Sequence, residues 1–250
     1  MPRKKKSRKK TVGFLGDFHS PYHNTEAIEI ACDYMLSYRI DTIILTELPD
    51  FYQVSSWKKD PLRMPFDEEL ELDKKLVKKL TKRFKKQEKI YIPGNHDERL
   101  IHYVWNKAPQ ITGLTKDIIS KVLGFQENDW LYQDNKKAMS EGKGPLSIGK
   151  LVYLHGHEVK TGWGAVNLAK IYYERCKTNV IFAHHHRWQE LCGRTIRGEH
   201  EGAWGVGCMC DLYAEYMPHN DWIHGFALID YDEDGFFSVA NKKIIHGRVV

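Results

Sequence analysis

The stretch Thr11-Val12-Gly13-Phe14-Leu15-Gly16-Asp17-Phe18-His19 is a short apolar run that ends abruptly in two metal-ligand residue types. A run of this length, rich in β-branched and aromatic residues, reads as a buried strand. The same pattern recurs four times downstream. Asp41 to Leu45 runs into Thr46-Glu47-Leu48-Pro49-Asp50, and Lys89 to Ile92 into Pro93-Gly94-Asn95-His96-Asp97. Leu151 to Leu154 runs into His155-Gly156-His157, and Val180 to Ala183 into His184-His185-His186. One such strand end is unremarkable. Five of them argue for a single composite site, because ligands of open α/β sheets gather at the carboxyl ends of the strands.

Helical patterns separate the runs. Thr25 to Met35 places Ile28, Cys32 and Met35 on one face after an Asn24 or Thr25 cap. Asp67 to Phe84 carries Leu72, Leu76, Leu80 and Phe84 at spacing four, with Asp67 as its cap. A third helix is expected over 165–174. Strand, helix, strand in alternation predicts an α/β fold with parallel pairs. In the last quarter, 203–208, 225–230 and 236–240 read as strands completing a second sheet packed on the first. Residues 100–148 are mixed in period and read as a small helical cap beside the site. No linker demands two domains, so 11–250 is taken as one.

Seven of the 38 basic residues fall in the first ten positions, and without them the chain holds 31 basic and 33 acidic residues. The net charge of +5 is therefore the property of a tail, read as disordered over 1–10, on a nearly neutral body. Such a tail is able to hold DNA or RNA by phosphate neutralisation, or it is a solubilising terminus. No apolar stretch reaches membrane-spanning length, and no secretory leader is legible. The five cysteines are odd in number and scattered, which points to a reducing, cytoplasmic setting.

The chemistry follows from residue types at fixed spacing. Asp17 and His19, and likewise His184 and His186, lie two apart and point to one side just past a strand, leaving His185 opposite. A carboxylate–imidazole mixture suits divalent manganese, iron, zinc, nickel or cobalt. Two such ions clamp the attacking and leaving oxygens of a phosphoryl centre, with a shared carboxylate between them, for which Glu47 is the candidate. A metal-bound hydroxide is then the nucleophile, and His96 the general acid, its ring oriented by Asp97. Arg99 and Arg187 are candidates for gripping phosphate oxygens, or for pairing with an acid instead. His23 is a weaker candidate for substrate contact. His157 reads as a hydrogen-bonding neighbour of His155. The acidic run 230–235 imitates a calcium loop but lacks its closing Glu, and a hairpin turn at Asp234-Gly235 accounts for it better.

Gly16-Asp17-Phe18-His19, Gly94-Asn95-His96-Asp97, His155-Gly156 and His184-His185-His186 resemble the motifs of the calcineurin-like metallophosphoesterases. The resemblance runs from Thr11 to about Arg187. In 51–61, 204–216 and 220–226 the chain is similar to a group common in phage and prophage genomes, which would place it in a host cytoplasm. Membership implies a four-layer fold of two packed mixed sheets flanked by helices. It also implies one metal on Asp17, His19 and His186, another on Asn95, His155 and His184, and the second-motif carboxylate between them, with manganese the first choice. The sequence departs from the family where Thr46-Glu47 replaces Gly-Asp, since Glu47 is one methylene longer and Thr46 adds bulk. Ala183 for Gly is a milder change. The expected function is hydrolysis of phosphate esters, with a nucleic-acid phosphodiester favoured. The rivals are a phosphomonoesterase or nucleotide phosphatase, and a nucleic-acid-binding protein with an impaired metal site.

Overall fold

The computed structural model describes residues 10–162 and 164–250. The strands are β1 (Lys10–Gly16), β2 (Thr42–Thr46), β3 (Glu88–Ile92), β4 (Leu131–Tyr132), β5 (Ser147–Ile148) and β6 (Leu151–Leu154), then β7 (Val180–Phe182), β8 (Gln189–Arg194), β9 (His200–Gly205), β10 (His224–Tyr231), β11 (Phe237–Ile245) and β12 (Arg248–Val249). The α-helices are α1 (Thr25–Ser37), α2 (Phe66–Arg83), α3 (Asp97–Lys107), α4 (Ile118–Val122), α5 (Asn135–Ser140) and α6 (Leu168–Cys176). The basic tail expected over 1–10 lies outside the described residues except for Lys10, which opens β1.

Two mixed sheets form. One runs β12-β11-β10-β1-β2-β3-β4 and the other β5-β6-β7-β9-β8. Alternation within β1 shows why they stack: Val12 and Phe14 face the second sheet, where they join Leu151, Tyr153 and Ile181 in the central core. Leu15, on the opposite face, packs with Ala27, Ile28 and Met35 of α1 and Leu76, Val77 and Leu80 of α2. On the far side, Leu168, Ala169 and Tyr172 of α6 cover Leu154, Val180 and Phe182. Helices, sheet, sheet, helix make the four layers expected from the sequence.

Several expectations need correction. β10 and β11 do not complete the second sheet; β10 pairs antiparallel with β1 and so extends the first. Only β9 joins the second, alongside β7. Residues 100–148 contribute a two-residue strand to each sheet, β4 beside β3 and β5 beside β6, as well as helices. Strands that short leave no readable period. The α2 cap is not Asp67: Pro65 occupies that position without a side-chain cap bond, and Asp67, Glu68 and Glu69 sit in the first turn against the helix dipole. Its buried stripe includes two acids, Glu69 and Asp73, while Leu72 is only half-buried. In α1 the cap is Asn24, whose Oδ1 accepts the Ala27 amide at 2.9 Å. The 232–236 turn is a hairpin, with the Asp232 carboxylate accepting from the amides of Asp234 and Phe236.

Candidate metal centre

Strands β1, β2 and β3 of one sheet and β6 and β7 of the other end at a common edge, and all five ends turn inward there. Turning requires unusual backbone. Asp17, His19, Glu47, His184 and His186 all adopt left-handed φ, between 45° and 72°. Non-glycine residues pay on the order of 1 kcal/mol or more each for this conformation, and such strain persists where function over-determines it. The turns are pinned from outside: Phe18 donates to the Glu47 carbonyl at 2.9 Å, and Met209 donates to the carbonyls of Gly16 and Asp17.

Glu47 lies at the centre and is buried. Its Oε1 is 3.3 Å from His19 Nε2, and its Oε2 is 3.2 Å from His155 Nε2. On the first side, His19 and His186 bring their Nε2 atoms to 3.0 Å. On the second, His155 Nε2 is 3.2 Å from Asn95 Oδ1, and the rings of His155 and His184 lie 5.0 Å apart. Asp17 accepts the His184 amide on Oδ2 at 2.8 Å, while among the described residues its buried Oδ1 has no hydrogen-bond partner. The structure thus brings all seven expected ligands together.

Thr46 and Gly94 accommodate the departures noted in the sequence. A Cβ at Gly94 would strike the Glu47 carboxylate, so the longer acid occupies the space glycine leaves. The Thr46 methyl lies where a side chain at Gly16 would be, and its hydroxyl pairs with His155 Nδ1 at 3.0 Å. Thr46 therefore orients a candidate ligand rather than obstructing it.

His96 and Asp97 behave differently from expectation. Asp97 does not orient His96: its carboxylate accepts from the Tyr91 hydroxyl at 2.7 Å and the Gly94 amide at 2.7 Å, holding the β3–α3 turn. Asp50 does the orienting, with Oδ1 2.9 Å from His96 Nδ1 and 3.4 Å from His19 Nδ1. The signal for Asp50 was its place three residues after Glu47. Arg99 donates to the Asp50 carbonyl at 2.6 Å and reaches His96 Nε2 at 2.8 Å. Arg187 is engaged elsewhere, with Asp221 at 2.6 Å and the Ala165 carbonyl at 3.0 Å. His23 pairs its backbone with Cys210, and among the described residues its ring Nδ1 has no hydrogen-bond partner. His157 faces Glu98 at 3.4 Å, and His185 turns away to the Tyr172 hydroxyl at 3.1 Å. Reading the sequence also missed Cys210, whose sulfur is 3.7 Å from His186 Nδ1, and Glu158, which accepts the Gly156 amide at 2.6 Å.

The electrostatics are those of a site short of positive charge. Burial pushes Asp17 up to about 7. Burial opposes ionisation of Glu47 too, but His155 and His96 hold it well below the carboxylate range. Burial alone would lower His19 and His155; Asp50 and Glu47 push the first up to about 9, and Glu47 the second likewise to about 9. His184 and His186 are driven well below the usual imidazole range, chiefly by burial. Buried acids and the neutral imidazoles of His184 and His186 are donors a divalent cation takes, with His19 and His155 joining once they release their protons, and Asp17, His19 and Glu47 alone already bring three ligand atoms close together.

No family model matches the chain, and no curated protein matches it. Among solved structures it is similar to a single mutant of Vps29 from Entamoeba histolytica, at 14% identity, 96% coverage of each chain and a TM-score of 0.47. It is similar to PH1004 from Pyrococcus horikoshii, a hypothetical protein, at 16% identity over 92% of this chain and 87% of the other, with a TM-score of 0.46. Yfce, a phosphoesterase from E. coli, matches at 11% identity over 92% of this chain and 98% of its own, with a TM-score of 0.42. Among the described residues no helix is long and apolar enough to cross a membrane.

Proposed function

We propose that the protein is a calcineurin-like metallophosphoesterase that uses two divalent ions, manganese first among them, to cleave phosphodiesters of nucleic acid. The observation that carries this reading is Glu47: one carboxylate turns one oxygen to His19 and the other to His155, in opposite halves of a buried donor cluster. Asp17, His19 and His186 would hold one ion, and Asn95, His155 and His184 the other. Bound there, the ions would polarise the phosphoryl group and lower the pKa of the attacking water.

The chain's own residues supply the remainder. Thr46 fixes His155 with Nε2 facing the cluster. Asp50 takes the Nδ1 proton of His96, which leaves Nε2 to Arg99 in the resting arrangement. A phosphate oxygen is a better partner for a guanidinium than an imidazole nitrogen is. Arg99 moving to substrate would free His96 Nε2 to take up a proton from solvent and pass it to the leaving oxygen. Arg187, tied to Asp221, is assigned no part in this step. The basic tail would add sequence-independent affinity for DNA or RNA, fading as salt rises.

Hydrolysis of bis(p-nitrophenyl) phosphate with added manganese tests the reading. Turnover that requires both manganese and Asp17 supports it. Turnover confined to p-nitrophenyl phosphate would replace the diesterase with a monoesterase, and inactivity on both with manganese, zinc, nickel and cobalt would overturn the hydrolase.

A further inference from the structure

The loop between β9 and β10 raises an aromatic wall at the rim of the cluster. Trp222 sets its ring edge-on against His186, with centroids 4.2 Å apart. Tyr216 stands 6.0 Å from Trp222. Tyr216 is 70% exposed, and Tyr213 and Met217 of the same loop are exposed as well. Through Trp222, which touches His186, Tyr216 stands at the rim of the cluster.

The wall is held in place. Asn220 donates to the carbonyls of Leu212 and Met217 and accepts the Trp222 amide at 3.0 Å. Ile223 donates to the His186 carbonyl at 3.0 Å, and Glu215 bridges to Arg63 at 2.8 Å. Arg63 in turn lies over the rings of Tyr22 and Tyr52. An exposed Tyr216 ring next to a half-buried Trp222, at the edge of a charged cluster, offers a surface on which a flat ring can bind. Next to a phosphate site, the ligand that offers both a phosphate and a flat π-face is a nucleotide unit. A base must leave its duplex to stack on protein rings, so the strand is single.

We propose that Tyr216 and Trp222 form a stacking platform for the base adjoining the scissile phosphate of a single-stranded nucleic acid. This rests on the phosphoesterase reading of the cluster. It makes the protein choose its substrate by the presence of an unpaired base, and the tail and the cations then add affinity for any strand equally.

The test compares hexathymidylate with an abasic hexamer of equal charge, titrated into the full chain in EDTA so that neither is cleaved. Hexathymidylate is expected to bind about tenfold tighter, the range for one stacked base. Tyr216→Ala should bring that ratio close to one, and Tyr216→Phe should keep it. Equal affinity of the two strands for the wild type, or a ratio unchanged in a folded Tyr216→Ala variant, overturns the platform. Neither result depends on turnover. Failure of the manganese-dependent hydrolysis assay would strike the hydrolase reading and leave this ratio to stand or fall alone.

Discussion

Two groups of carboxyls are buried in this molecule, and they are held in opposite states. At the strand ends, Glu47 and Asp50 face imidazoles, and these hold both acids well below the usual carboxylate range despite burial. Under α2, Glu69 accepts the Phe51 amide, and the charges near Asp73 are those of other acids, Glu69 first among them. Burial pushes each up to about 8, and among the described residues neither oxygen of Asp73 has a hydrogen-bond partner. Burial is common to both groups, so the counter-charge decides. Asp17 stands between them. It belongs to the first group by position, yet burial pushes it up to about 7, and among the described residues its Oδ1 accepts no hydrogen bond. The strand-end cluster is thus built for charge and lacks some of it, whereas burial keeps the two α2 acids protonated.

Removing Asp17 should break the first group most severely. Asp17→Ala is expected to lower manganese-dependent diester hydrolysis by about three orders of magnitude or more, measured as kcat/KM on bis(p-nitrophenyl) phosphate.

The α2 pair should show itself in the pH dependence of stability. Asp73 has a folded pKa of about 8, above its unfolded value near 4. Between those values the folded state keeps a proton that the unfolded state has released, so stability is greatest at the acid end and falls as pH rises towards 8. The loss should be of the order of a few kcal/mol in denaturant titrations. Asp73→Asn should make the curve shallower, Glu69 keeping its own share of the slope, and should exceed the wild type near pH 8. An unchanged slope would mean that Asp73 is ionised and paired after all.

Manganese should stabilise only through the first group. At a hundred times its dissociation constant it should add about 2.7 kcal/mol to unfolding, a gain that Asp17→Ala loses and Asp73→Asn retains. Calorimetric melting with and without the ion checks this. The smallest effect should come from Thr46→Val, which keeps the shape and removes the hydroxyl beside His155. Manganese affinity is expected to fall about tenfold by isothermal titration, with melting in EDTA little changed.

Much of this site was legible because its residues end apolar runs, and strand-end positions of a parallel sheet converge. Short apolar runs were enough to place β1, β2, β3, β6 and β7. Periodicity failed for β8, whose solvent-facing residues alternate around a single Leu191, and for the two-residue β4 and β5. The α2 face was misread because Glu69 and Asp73 look like wet-face acids until burial is known. Asp97 and Asp50 exchanged roles for a similar reason: sequence adjacency favoured Asp97, while the left-handed turn after β2 brings Asp50 back to His96. Trp222 and Tyr216 lie in a loop with no period to read, and only the return of the chain to His186 reveals them.

If Glu47 joins two cation sites, anomalous diffraction from crystals soaked in manganese should show two peaks flanking its carboxylate, one among Asp17, His19 and His186 and one among Asn95, His155 and His184. Manganese bound elsewhere, with no peak touching Glu47, would contradict that arrangement.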